Sequence, residues 1–240
     1  MATIIDMHMH TVLGAYDSSL QPEELGAEAA RVGLSGINIT EHDRLWDRHL
    51  LARYREAQAP LFVNNGMEVS TDLGHVIAVG LTEYVPRMRH LAELRRVMDE
   101  LGGYIVAAHP FRHFFEAAHF MRQGKAPPEL VAEVLAKLPV FQHVDAIEAL
   151  NGLNTPRENV MALQVAQLLG KPVTGGSDCH SNQGIGYYCT IFEDGIETPE
   201  QMLAALRAGS FHAGHGLAAS GRPTPFTEAS LFEDGSAASG

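Results

Sequence analysis

Ile4-Ile5-Asp6-Met7-His8-Met9-His10 is the stretch on which the reading of the chain turns. Two apolar residues lead into histidines spaced i, i+2. Side chains alternate along a strand, so His8 and His10 share one face while Met7 and Met9 share the other. Two imidazoles on one face at a strand end make half of a metal site. A plainer reading, with one ring capping a core strand and the other in solvent, stands beside it until the remaining strands are placed.

The chain downstream repeats the pattern. Residues 11–20 read as a loop containing Gly14, Asp17, Ser18 and Ser19. A helix follows, with Ser18 or Ser19 as its cap, Pro22 in its first turn, and Leu25, Ala29 and Val32 as its buried stripe before Gly33. Residues 36–40 form a short strand that runs into Glu41-His42-Asp43. Residues 48–57 are helical, and the strand at 60–63 leads to Met67-Glu68. A turn at Asp72-Leu73-Gly74 starts a hairpin return over 75–80. An amphipathic helix over 90–101 ends at Gly102-Gly103, and the apolar strand 104–108 ends at His109-Pro110. Helices are expected over 129–138, 156–169 and 199–208. Strands are expected at 144–150, ending at Asn151, at 172–174, leading to Asp178-Cys179-His180, and at 187–192.

Strands alternating with helices imply parallel β/α units of the α/β class. About seven strands point to closure into a barrel rather than an open sheet. Residues 1–217 are expected to form one domain. From Ala218 the chain is rich in Gly, Ser, Ala and Pro, and 218–240 reads as a flexible tail.

With 240 residues, 45% of them hydrophobic, the chain can bury one sizeable core. A net charge of -12 argues against an extended nucleic-acid track or an anionic membrane surface, since both need a basic stripe. No apolar run is long enough for a membrane span, and the N-terminus has no basic region followed by an apolar core, so a cytoplasmic location is expected. Cys179 and Cys189 are too few for a disulfide framework or a Cys-rich zinc ribbon. The 13 histidines are the compositional hint of metal chemistry.

In a β/α barrel the carboxyl ends of the strands converge on one mouth. The strand-end residues are His8, His10, His42, Glu68, His109, Asp178 and His180, with His75 at the start of the hairpin return and Asp17 in the first loop. One four-coordinate ion cannot use so many ligands, whereas three ions sharing a bridging carboxylate can. Asp17 also has a reading as a helix-capping residue. Imidazole and carboxylate without thiolate suit Zn, Mn or Fe alike. Cys179, between Asp178 and His180, faces away from both in an extended segment.

Five segments carry a family resemblance: Met7-His8-Met9-His10-Thr11, Ile39-Thr40-Glu41-His42-Asp43, Gly66-Met67-Glu68-Val69-Ser70 with Gly74-His75, Ala108-His109-Pro110, and Gly176-Ser177-Asp178-Cys179-His180-Ser181. In this order and spacing they resemble the PHP family, named for polymerase and histidinol phosphatase, over residues 3 to 192. The resemblance implies a distorted (β/α)7 barrel of PHP type with a trinuclear metal centre that hydrolyses phosphate esters. It places His8, His10, Glu68 and Asp178 on one ion. Glu68 bridges to a second ion held by His75 and His109, and Asp17, His42 and His180 hold the third. No ligand position is lost, unlike the inactive form of the domain that some polymerases carry.

Such a centre holds a hydroxide between metals, in line with phosphorus, and neutralises phosphoryl charge. Arg112, three residues after His109, is the candidate for orienting phosphate; its other reading is an ion pair with Glu116. Asn151 is a candidate for bonding substrate or a ligand, and Asn-Gly is also a turn signal. His113 is a weaker candidate for protonating the leaving group. Glu41 and Asp43 are candidate partners of ligand imidazoles. His49, His90, His119, His143, His212 and His215 are read as non-functional, and specificity is assigned to loops such as 111–124.

The expected function is hydrolysis of a small phosphomonoester, such as a nucleotide or histidinol phosphate. The alternatives are a phosphodiesterase or 3′–5′ exonuclease on short oligonucleotides and, from another class, a non-catalytic metal-binding interaction module.

Overall fold

Strand β1 (Thr3–Met9) is the seam of the molecule because it is paired differently at its two ends. In this computed structural model, which describes residues 2–116, 130–227 and 230, one sheet runs in the order β10-β9-β8-β1-β2-β3-β4-β5-β6-β7. Its other strands are β2 (Gly36–His42), β3 (Phe62–Thr71), β4 (Gly74–Val79), β5 (Tyr104–Ala107), β6 (Ala146–Asn151), β7 (Val173–Gly176), β8 (Tyr188–Phe192), β9 (Phe211–His215) and β10 (Thr224–Pro225). At its start β1 pairs antiparallel with β8, Thr3 opposite Phe192. At its end it meets the segment after β7 instead: the Asp178 N–H donates to the His8 carbonyl at 2.7 Å, and the His10 N–H to the Cys179 carbonyl at 3.1 Å. The sheet therefore curls from β1 through β7 into a distorted barrel that closes at its mouth, with β8 held against both β1 and β7.

Two slips of register aim side chains into that mouth. The β1–β2 pairing shifts between Asp6 and Met9. Before the shift, Ile5 and Met7 pack into an interior cluster with Ile77, Val106 and Ala146; after it, Met9 packs with Leu25 and Ile37 under the outer helices. Strict alternation would have kept Met7 and Met9 on one face. The slip reverses the alternation, so His8 and His10 turn inward above an apolar floor. The β6–β7 pairing shifts between Glu148 and Leu150. Ala149 and Leu150 both lie in the outer core while Glu148 and Asn151 turn into the mouth.

Gly176 makes the close approach possible. A Cβ there would sit 2.5 Å from the His8 Cβ and 2.7 Å from its backbone nitrogen. That separation is shorter than side-chain contact allows, so β7 can reach the end of β1 only with glycine at this position.

Helices α1 (Pro22–Val32), α2 (Arg48–Gln58), α3 (Leu91–Leu101), α4 (Ala132–Leu135) and α5 (Pro156–Leu169) pack outside the strands, while α6 (Pro199–Ala208) plugs the floor with Met202 and Leu206. Several sequence expectations need correction. The cap of α1 is Gln21, whose N–H donates to Glu24 at 3.2 Å, because Pro22 fixes the first helical position. Ser18 and Ser19 instead donate to the His180 carbonyl, tying the first loop to the end of β7. Of the helix expected over 129–138, residue 129 lies outside the described residues, and the helix ends early because Leu138 precedes Pro139 and is extended. The sheet is mixed, since β4 runs antiparallel to both its neighbours. Within the expected tail, Thr224 and Pro225 pair with β9 and Phe226 is buried, while residues 218–222 are exposed. No helix among the described residues is long and apolar enough to cross a membrane.

Candidate metal centre

Four side chains, from β1, β3 and the residues just past β1 and β7, converge at the mouth. His8 Nε2 lies 3.0 Å from His10 Nε2, 3.6 Å from Glu68 Oε2 and 3.5 Å from Asp178 Oδ1. His10 Nε2 lies 3.4 Å from the same Glu68 oxygen and 3.3 Å from the same Asp178 oxygen. Donors bound tetrahedrally at about 2.0–2.2 Å lie roughly 3.3–3.6 Å from one another. The spacings among His8, His10 and Asp178 are close to that cage, so these three donors fit a divalent cation in type and spacing, with Glu68 beside both imidazoles.

Glu68 carries the cluster outward. Its Oε1 lies 2.9 Å from His75 Nδ1 and 2.8 Å from His109 Nε2, and its Oε2 lies 2.8 Å from His42 Nδ1. Asp17 stands 3.6 Å from both His42 Nε2 and His180 Nε2. Among the described residues three trios bring ligand atoms within 4.8 Å of one another: His8, His10 and Asp178; His8, Glu68 and His109; and His10, His42 and His180. All nine sequence candidates therefore meet at one mouth. Two of them, His109 (φ 29) and Asp178 (φ 52), hold left-handed backbone that non-glycine residues rarely adopt, a strain that tends to gather at functional sites.

A family model for PHP-associated sequence, PHP_C, matches residues 156–211. The error-prone DNA polymerase of Mycobacterium tuberculosis is 34% identical over 82 residues, which is 34% of this chain and 7% of the polymerase. Both matches show homology with the PHP family over parts of the chain. Over most of the chain the fold is shared with solved structures. PsfC from Pseudomonas syringae superposes with a TM-score of 0.57 at 19% identity, covering 85% of this chain and 88% of that one. A candidate metal-dependent phosphoesterase from Bifidobacterium adolescentis superposes with a TM-score of 0.52 at 18% identity, covering 73% and 87%.

Around the candidate ligands stand residues that hold them in place. The sequence reading passed over Glu148, which is fully buried and accepts from His8 Nδ1 at 2.9 Å, from the His109 N–H at 2.9 Å and from the Asn151 amide at 2.9 Å. A carboxylate behind a ligand imidazole fixes its tautomer and aims its other nitrogen. The available signal was one charged residue inside the apolar run Ala146-Ile147-Glu148-Ala149-Leu150. Asn151 is also fully buried. Its amide nitrogen serves Glu148 and Asp178, and its oxygen accepts from Arg112 and the Leu153 N–H, so it braces ligands rather than facing the cleft. Arg112 does line the pocket, with Nη2 on Asp178 and on Asn151 and Nε on Asn154 at 3.2 Å.

Glu41 and Asp43 do not take the place expected behind ligand imidazoles. Glu41 accepts from Thr11 and from Trp46 Nε1, and Asp43 from the Ser70 N–H and Arg89. Both hold the backbone beside the site. Cys179 faces the outer core as expected, and burial pushes its thiol pKa up, which suits packing and not ligation. His113 bonds Glu116 at 2.8 Å on the rim of a neighbouring cleft. His49, His90, His143, His212 and His215 join none of the three trios, and His119 and residues 117–124 of the expected specificity loop lie outside the described residues.

The electrostatics follow from packing anions and imidazoles together out of water. Burial acts to lower the His8 pKa, but Asp178, Glu148 and Glu68 outweigh it and hold it well above the ordinary imidazole value. Burial and the His8 charge push His10 down to about 4. Burial acts to raise Glu68, and the His8 charge with hydrogen bonds from His109, His42 and His75 holds it well below the usual carboxylate range. Asp178 is depressed in the same way by His8, His10 and Arg112 against burial. The carboxylates stay anionic, which is the state a cation needs of its ligands.

Glu148→Gln is expected to weaken Mn²⁺ binding by about 10–100-fold. One Glu148 oxygen faces His8 Nδ1 and the other faces two N–H donors, so either orientation of a glutamine amide sets its NH₂ against a donor. Calorimetric titration with Mn²⁺ measures this, and unchanged affinity would remove Glu148 from the orienting role.

Proposed function

We propose that this chain is a metal-dependent phosphoesterase that hydrolyses a small phosphomonoester at a centre of up to three divalent ions. The observation that carries the reading is the convergence of His8, His10 and Asp178 beside Glu68, which joins them to further imidazoles, with Arg112 at their flank. Divalent ions held there supply Lewis acidity for the phosphoryl oxygens and a water acidified enough to attack at neutral pH.

The chain's own residues supply the rest. Glu148 and Asn151 orient His8 and Asp178, and Arg112 presents a planar cation to a phosphoryl oxygen at the pocket wall. Leu153 closes part of the same pocket, whose volume is about 330 Å³. Zn, Mn and Fe all suit the donor set, with Asp17, His42 and His180 as the outermost ligands. The likeness to a stretch of a polymerase favours a second reading, a diesterase acting at the end of a short oligonucleotide.

The test is Mn²⁺-supplemented hydrolysis of an aryl phosphomonoester beside the matching diester, with His8→Ala and a chelated sample as blanks. The expected result is monoester turnover that is lost in both blanks while circular dichroism shows His8→Ala folded. Preference for the diester would promote the second reading. Bound metal with no turnover of either ester would favour the non-catalytic module.

A further inference from the structure

The metal pocket is lined almost wholly by candidate ligands and Arg112, groups that suit a phosphoryl group and not an apolar alcohol. His75, His109 and Arg112 line that pocket and also a second cleft of about 710 Å³ beside it. This is the volume of a small-molecule site, and the shared residues set the two spaces side by side.

The walls of the second cleft are mostly apolar: Leu73, Pro110, Phe114, Leu138, Pro139 and Val140. Leu73, at the tip of the β3–β4 hairpin, is one of the large apolar side chains left exposed. The polar groups of that hairpin are already engaged. Thr71 donates its hydroxyl to the Gly74 carbonyl, and Asp72 accepts from the Leu91 N–H at 2.9 Å and faces His90 Nδ1 at 3.3 Å. A sugar lying against the hairpin wall would lose water from its hydroxyls and find few partners there, whereas an apolar ring would lose little and cover Leu73.

We propose that this cleft is the leaving-group subsite and that it takes an apolar, ring-sized alcohol, making the substrate class phosphomonoesters of aromatic or other apolar alcohols rather than of polyhydroxylated sugars. The inference rests on the phosphoesterase reading above. In the reaction the oxygen of water bonds to phosphorus, the P–O bond to the alcohol breaks, and the departing oxygen takes a proton from that water. The neutral alcohol is left in the cleft and phosphate in the pocket.

The experiment compares kcat/KM for benzyl phosphate and glycerol phosphate with Mn²⁺-loaded protein; both are alkyl esters, so their intrinsic reactivities are alike. In parallel, the dissociation constants of benzylphosphonate and methylphosphonate are measured without turnover. The expected result is a benzyl preference of about tenfold or more in both ratios. Leu73→Gln and Leu138→Gln should each pull both ratios towards one, the kinetic one through KM. Leu73→Gln, on an exposed hairpin tip, serves if Leu138→Gln does not fold. Equal kcat/KM and equal phosphonate binding, or ratios untouched by both variants, overturn the subsite. No turnover of either ester with the phosphonate ratio intact sinks the phosphoesterase reading and the leaving-group role together, leaving an apolar binding cleft.

Discussion

Glu68→Gln is expected to lower kcat/KM by roughly a thousandfold or more and to leave the dialysed protein short of metal. The substitution keeps volume and shape, so its effect isolates the charge. Glu68 is buried, and five imidazole nitrogens surround its two oxygens, those of His75 and His109 on Oε1 and those of His42, His8 and His10 on Oε2. An amide can present oxygen to only one of these sets, and its NH₂ group cannot serve as a ligand to a cation. Glu68→Asp makes the informative companion, because it keeps the charge and shortens the reach. It should retain part of the metal while losing most of the turnover. Metal analysis after dialysis and steady-state kinetics read both effects. Full metal content with full activity in Glu68→Gln would remove the carboxylate from the bridging position.

The barrel mouth was legible from sequence because the signals that specify it are local. An apolar run ending in histidine or carboxylate marks a strand and its chemical end together, and this occurs at His42, His109 and Asp178 as well as at His8 and His10. The hairpin at Asp72-Leu73-Gly74 was readable from its turn residues, and it placed His75 near Glu68. Three things were hidden because pairing partners decide them. The slip in β1 depends on where β2 sits, so alternation assigned Met7 and Met9 to one face when they lie on two. Glu148 sits inside an apolar strand, and only the approach of His8 from another strand gives it a role. Strand β9, Phe-His-Ala-Gly-His, has little apolar content of its own and exists through pairing with β8 and β10. The polar residues beside His42 were read by adjacency, but Glu41 turns to Thr11 and Trp46 because neighbours along a strand point to opposite faces.

Arg112→Ala is expected to cut kcat/KM by about 100–1,000-fold, the usual cost of losing one group that stabilises developing phosphoryl charge, while most of the metal stays bound. Two roles compete for this residue. Its Nη2 is bonded to Asp178, so it could act only by stabilising a ligand; yet the side chain is about one-fifth exposed and lines the pocket beside the imidazoles, which places a cation where a phosphoryl oxygen would sit. The two roles differ in what else fails. A prop for Asp178 would lose metal and turnover in step, whereas a phosphate-orienting group would lose turnover from a protein that still titrates normally with Mn²⁺. Arg112→Lys sharpens the distinction. Lysine keeps the charge but cannot reproduce a planar group that donates from Nε to Asn154 and from Nη2 to Asn151 and Asp178, so little rescue is expected. Near-complete rescue by lysine would mean that charge alone matters at this position, and parallel loss of metal in the alanine variant would return Arg112 to a supporting role behind Asp178.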